Sequence, residues 1–91
     1  MSVSVVIPTL DEERLLAGAI ASVRADADEV LVVDGGSSDR TGAIAAGAGA
    51  RVLESPRGRG AQLDRGAREC RGDWLVFLHA SDIRPLEMEA T

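Results

Sequence analysis

The 91-residue sequence has no lysine, one cysteine (Cys70) and one histidine (His79). A lone thiol excludes an internal disulfide and a cysteine pair around a metal, and it fits a reducing compartment. No run of eighteen apolar residues occurs, and no charged segment leads into a long apolar stretch, so neither a membrane span nor a signal peptide is expected. A cytoplasmic location is the resulting expectation. Without lysine there is no Walker loop, and no G-x-G-x-x-G follows the first apolar run, which argues against P-loop and nicotinamide enzymes. The missing lysine, together with Asp11-Glu12 lying beyond a proline turn, also argues against a phosphoacceptor role for Asp34 in a receiver-type domain. A net charge of -5 argues against a protein that coats nucleic acid.

What is present suits one small globular unit, with 45% hydrophobic and 27% charged residues. A chain of this size buries a modest fraction of its surface, so its stability is marginal unless something covers an apolar face. The charge is uneven. Residues 51–71 hold six arginines against three acids, whereas residues 1–50 hold three against eight. That basic middle third reads equally as a solvated helix face or as an anion-binding surface.

Val3 to Ile7 is a β-branched run closed by Pro8, as expected of a strand covered on both faces. Thr9 and Glu12 have capping-box spacing, and Leu16, Ala19, Ile20 and Val23 recur on one helical face, which predicts a helix from about Asp11 to Arg24. Val30 to Val33 predicts a second strand, followed by a turn at Gly35 to Asp39 that can cap a second helix. Arg51 to Leu53 predicts a third strand and Glu54 to Gly60 a loop. Ala61 to Cys70 predicts a helix with Leu63, Ala67 and Cys70 on its apolar face, and Trp74 to Leu78 a fourth strand. The order βαβαβαβ implies an α/β, three-layer, Rossmann-like parallel sheet with right-handed crossovers.

Ligands of open parallel sheets bind beyond the carboxyl ends of the strands. Pro8-Thr9-Leu10-Asp11-Glu12 follows the first strand and reads either as helix capping or as ligand contact. Asp34 ends the second and could accept a hydrogen bond from a base or ribose, or stabilise an Asx turn over Gly35-Gly36. Arg57-Gly58-Arg59-Gly60 places two guanidiniums at a helix start, suited to phosphate or to an exposed basic turn. His79-Ala80-Ser81-Asp82 follows the fourth strand. An imidazole and a carboxylate there could hold Mg²⁺ or Mn²⁺ bridging diphosphate oxygens, or His79 could be a hydrogen-bonded structural residue.

Ser4 to Glu12, Glu29 to Thr41, Pro56 to Leu63 and Gly72 to Ala80 together resemble the opening of the family 2 glycosyltransferases, in the bacterial branch with a histidine before its acidic metal motif. The resemblance implies the N-terminal half of a GT-A domain over residues 1–80, with Pro8, Thr9 and Glu12 around the nucleoside and Asp34 near the base. It implies Ser37 and Asp39 in the adjoining loop, Arg59 and Gln62 on the far side of the pocket, and His79 and Asp82 at a divalent cation. The implied partner is a nucleoside-diphosphate sugar, a UDP-sugar first among them, donated to an acceptor whose pocket and catalytic base lie in a later half of the domain. Where the branch reads His-Ala-Asp, this chain reads His79-Ala80-Ser81, with the carboxylate displaced to Asp82. Adjacent side chains on an extended segment point to opposite sides, so the displacement alters the metal end. Pro85 keeps the family's register, whereas residues 81–91 carry no pattern and read as a tail of a truncated or frameshifted reading, with little activity expected of the chain alone. The alternative is a non-catalytic Rossmann-like nucleotide or protein-interaction module that pairs as a homodimer through the edge after the fourth strand.

Overall fold

The computed structural model describes residues 2–79. Seven elements alternate: β1 (Val3–Thr9), α1 (Leu16–Arg24), β2 (Glu29–Asp34), α2 (Thr41–Gly47), β3 (Arg51–Glu54), α3 (Arg59–Glu69) and β4 (Trp74–Phe77). The strands are parallel and lie in the order β3-β2-β1-β4.

That order explains the layers. Right-handed crossovers from β1 to β2 and from β2 to β3 step in one direction, which puts α1 and α2 on one face. The crossover from β3 back past β1 to β4 steps the other way, which puts α3 on the opposite face. Alternation along the strands then divides the core in two. Val5, Ile7, Val30 and Val32 pack with Leu16, Ala19, Ile20 and Val23 of α1 and Ala45 of α2, while Val6, Leu31, Val33 and Leu53 face α3. The near-continuous apolar runs of β1 and β2 follow from this double coverage.

Two expectations fail at the start of the first helix. The predicted first helix begins at Leu16, five residues later than Asp11, and the Thr9–Glu12 capping box does not form: the Leu15 N-cap has no side-chain bond. Thr9 ends β1 instead, and Asp11, at φ 52, turns the chain away before a tight turn in which Leu15 N and Leu16 N both donate to Glu12 O. The second helix is capped from the turn before it as expected, by Asp39, whose carboxylate accepts from Thr41 N at 2.9 Å, while the Arg40 side chain makes no capping bond.

The third helix begins at Arg59, two residues earlier than predicted, and it is phased differently. Its buried residues are Gln62 and Gly66, with Leu63 and Cys70 half-buried and Ala67 exposed. Gly66 seats against Val6 and Val33, where an added methyl would overlap Val6 Cγ1. The helix therefore approaches the sheet closely through a missing side chain instead of through a large apolar one. Gly58, at φ 131, supplies the backbone turn that starts it. Expectations for Ser81, Asp82, Pro85 and the tail 81–91 lie outside the described residues.

Candidate functional site

The carboxyl ends of β1, β2 and β3 are level, with Thr9 opposite Asp34 and Asp34 opposite Glu54. β4 is in register with Val6 at Phe77, and Leu78 N still donates to Val6 O at 3.0 Å, so His79 emerges at the same end of the sheet. The direction of winding reverses between β1 and β4. A crevice outside such a reversal is where open α/β sheets bind ligands.

A cavity of about 210 Å³ opens there, lined by Pro8 from β1, Arg59 and Leu63 from α3, and Phe77, Leu78 and His79 from the end of β4. A second, of about 400 Å³, is lined by Asp11, Glu12, Arg14 and Leu15 of the β1–α1 loop. Glu12 belongs to the wall between the loop and β4, because its Oε1 lies 3.8 Å from His79 Nε2. The structure thus brings Pro8, Glu12, Arg59 and His79 to one end of the sheet, from three separate segments.

Thr9, Asp34, Ser37 and Gln62 form the floor. Asp34 is nine-tenths buried. Its carboxylate accepts from Thr9 Oγ1 at 3.1 Å, Gly36 N at 3.2 Å, Ser37 N at 2.8 Å and the Ser37 hydroxyl. Burial alone would raise its pKa, but the hydrogen bonds from the Ser37 hydroxyl and amide, from Thr9 and from Gly36 outweigh it and hold the pKa below the ordinary aspartate value. The Asx-type turn over Gly35-Gly36 is therefore present. Gln62 is buried, and Nε2 donates to Thr9 O at 2.8 Å and to Val33 O at 3.0 Å. Both amide hydrogens are committed to strand-end carbonyls, so this nitrogen braces the floor. Gly35 lies directly beneath the Gln62 amide, where a Cβ would come within 3.0 Å of Cδ.

Asp39 holds the wall. It accepts from Thr41 N at 2.9 Å, from the Thr41 hydroxyl and from Glu13 N at 3.3 Å. The Thr41 hydroxyl is the leading cause of its lowered pKa. Several residues outside the predicted set complete the junction between the two loops. Asp11 N donates to Ser37 Oγ at 2.8 Å, Ser38 N donates to Asp11 Oδ1 at 2.8 Å, and Glu12 N donates to Thr41 Oγ1 at 2.9 Å. Arg40 Nε pairs with Glu13 Oε2 at 3.3 Å. The spacings Asp34-x-x-Ser37 and Asp39-x-Thr41, an acid followed closely by a hydroxyl, were the sequence signal for this junction.

Among the described residues no group of three or more His, Cys, Asp or Glu side chains is placed to hold a metal. His79 and Glu12 supply one nitrogen and one carboxylate at the crevice. That partial set fits a hard cation that takes further oxygens from a phosphate ligand, since Mg²⁺ is held by one or two carboxylates plus substrate phosphates and water. Among the described residues no helix is long and apolar enough to cross a membrane.

The sequence model of Glycosyl transferase family 2 matches residues 4–84. Glucosyl-3-phosphoglycerate synthase of Mycolicibacterium paratuberculosis is 36% identical over 100 residues, covering 96% of this chain and 30% of the relative. The crystal structure of the Mycobacterium tuberculosis glucosyl-3-phosphoglycerate synthase with UDP superposes with a TM-score of 0.85 at 33% identity, covering 97% of this chain and 37% of that one. The same enzyme with Mn²⁺, UDP and glucosyl-3-phosphoglycerate superposes with a TM-score of 0.80 at 34% identity, covering 87% and 33%. The chain thus spans about a third of the length of these relatives.

Proposed function

The chain belongs to glycosyl transferase family 2 and shares the Rossmann-like sheet of GT-A glycosyltransferases, and from that premise we propose that it binds a nucleoside-diphosphate sugar, specifically a UDP-sugar, at the carboxyl ends of its strands. One observation carries the reading: Pro8, Arg59 and His79 line a single cavity at the point where the sheet reverses its winding, with Glu12 3.8 Å from His79. An arginine fork at the start of a helix beside an imidazole–carboxylate pair suits a diphosphate and an accompanying cation. Relatives of this chain are solved with UDP together with Mn²⁺ or Mg²⁺, which supports the same ligand class here.

In this reading Pro8, Thr9 and Glu12 surround the nucleoside, and Ser37 and Asp39 shape the loop beside it. Arg59 meets the diphosphate, and Gln62 braces the floor. His79, with Asp82 beyond it, would hold Mg²⁺ or Mn²⁺, which when bound neutralises charge on the leaving diphosphate. Transfer of the sugar to an acceptor requires a base and an acceptor pocket that no residue here is assigned. These 91 residues, a third of their relatives' length, are expected to bind the donor with little transfer of their own. A nucleotide-sugar ligand and a free Cys70 thiol both fit the cytoplasm.

Titration calorimetry of the purified chain with UDP, with and without Mn²⁺, tests the reading. Saturable binding that tightens with Mn²⁺ is expected, and no binding at millimolar UDP overturns it. Sugar transfer by the isolated chain would overturn the expectation of little activity. Trp74 and Phe77 are both exposed on β4 at one end of the described strand order, which favours a second reading as a non-catalytic module that dimerises through that strand. A stable dimer in sedimentation equilibrium without any UDP binding would select it.

A further inference from the structure

Asp34 is the residue at the centre of the floor, and its hydrogen bonds bear on what it can do for a nucleotide. An ionised carboxylate offers about four lone-pair sites on its two oxygens. Thr9 Oγ1 and the Ser37 hydroxyl fill Oδ1, and Gly36 N and Ser37 N fill Oδ2. Buried to nine-tenths, the group has each of its acceptor positions matched to a donor of its own chain. A base could accept no role at Asp34 without breaking a bond already made. The same bonds connect Asp34 outward. Ser37 donates its hydroxyl to Asp34 while accepting from Asp11 N at 2.8 Å, so a chain of hydrogen bonds runs from the floor to the β1–α1 loop. Thr9, the other donor to Oδ1, is the residue whose carbonyl receives both Gln62 Nε2 and Gly35 N.

We propose that Asp34 is a positioning residue, whose saturated carboxylate fixes the β2–α2 loop and, through Ser37, the β1–α1 loop in the shape that receives the nucleotide, and that it does not read the base. The proposal rests on the nucleotide-binding reading above for its ligand. The arrangement of the two loops holds independently of any ligand.

The test uses the chemistry of two bases. Uracil presents an N3–H donor, whereas cytosine presents an N3 acceptor. A carboxylate that reads the base would prefer uracil, and Asp34→Asn would shift preference toward cytosine. For a positioning carboxylate, Asp34→Asn reverses the direction of the bonds to Thr9 and Ser37 and loosens both loops. UDP and CDP should then weaken by the same factor, about tenfold given the loss of one charged hydrogen bond, with their affinity ratio unchanged within about twofold. Ser37→Ala keeps the carboxylate but cuts the link to Asp11, and it should weaken both nucleotides alike. Amide hydrogen exchange on the ligand-free full chain is the second readout. Exchange at Asp11 to Glu13 should accelerate in both variants.

A change of the UDP-to-CDP ratio by tenfold toward CDP in Asp34→Asn overturns the proposal, as does unchanged exchange at residues 11–13 in both variants. If the wild-type chain binds neither nucleotide, the nucleotide reading fails, and the exchange measurement still decides whether Asp34 sets the loops. Should Asp34→Asn fail to fold, exchange at residues 11–13 in Ser37→Ala decides whether the carboxylate sets the β1–α1 loop through Ser37, and unchanged exchange there overturns the proposal.

Discussion

Gly66→Ala tests whether the site's far wall is set by one close contact between helix and sheet. The methyl would overlap Val6 Cγ1 and come within 3.0 Å of Val6 Cγ2 and 3.3 Å of Val33 Cγ2. Val6 is fully buried in the middle of β1 and cannot retreat without moving the strand. Overpacking of this kind costs about 1–3 kcal/mol, while replacing a helical glycine by alanine returns about 1 kcal/mol of helix propensity. The net expectation is a loss of up to about 2 kcal/mol, from a total on the order of 5–10 kcal/mol for a domain of this size. In urea denaturation followed by circular dichroism, that is a midpoint lowered by up to about 1 M. Gly60→Ala, in the first turn of the same helix with nothing near its added methyl, should be neutral or stabilising. The Val6→Ala background supplies the decisive comparison, since removing both γ-carbons removes the overlap: Gly66→Ala should then stabilise, giving a coupling of about 1–3 kcal/mol. If Gly66→Ala stabilises the wild-type chain, or if its effect is the same in both backgrounds, α3 does not seat on β1 as described. Because α3 also carries Arg59 and Gln62, lifting it should weaken UDP as well.

Three further perturbations reach the site directly. Gln62→Leu removes the donors to Thr9 O and Val33 O and should destabilise the fold by about 2–3 kcal/mol, since two buried bonds are lost; thermal melting checks it, and a cost below 0.5 kcal/mol on the scale of a surface change would refute the bracing role. Arg59→Ala should leave the melting temperature unchanged, because the residue is exposed, while weakening UDP about tenfold through a lost charged contact; calorimetry at two salt concentrations checks both, and undiminished affinity refutes the phosphate assignment. The folded pKa of Asp34 lies below its ordinary value, so its contribution is complete above the unfolded pKa and is lost as the pH falls through that value to the folded one. Stability should therefore decline on the acid side below the ordinary aspartate range, and Asp34→Asn should flatten that part of the profile in denaturant titrations at stepped pH.

Much of the fold was legible because the strands are so strongly patterned. Val3 to Ile7 and Val30 to Val33 are covered on both faces, and such strands announce themselves as β-branched runs. The face of α1 was equally clear, with Leu16, Ala19, Ile20 and Val23 all buried. The reading of α3 failed for a physical reason. A search for apolar residues chose Leu63, Ala67 and Cys70, whereas the inward face is made by Gln62, whose amide is satisfied by two strand-end carbonyls, and by Gly66, whose lack of a side chain permits contact. Neither kind of residue raises an apolar signal. The start of α1 failed similarly. Thr9 and Glu12 have capping spacing, but Thr9 Oγ1 donates to Asp34, a neighbour across the sheet and 25 residues away in sequence, and the Glu12 amide that a capping Thr9 would accept from donates instead to Thr41 Oγ1. Local spacing competes with long-range pairing there, and it loses because the strand register puts Thr9 and Asp34 side by side.

The order of the site and the stability of the fold are carried by different interactions. The core is apolar and sits between the layers. The two loops over the crevice are joined by bonds of another kind: Asp11 N to Ser37, Ser38 N to Asp11, Glu12 N to Thr41 and Glu13 N to Asp39. Three successive positions of one segment, 11 to 13, thus exchange four hydrogen bonds with two hydroxyls, a carboxylate and a backbone amide of the other, at partly exposed positions where each is worth about 0.5–1.5 kcal/mol. Bonds of this size can open singly without unfolding the sheet, whereas Thr41, fully buried beneath them, opens only with its helix. Local opening should therefore be graded, fastest at Asp11 and Ser38 and slowest at Glu12, whose amide is held by the buried Thr41 hydroxyl. That gradient would keep the carboxylate facing His79 in place while the rim of the crevice yields to an incoming ligand.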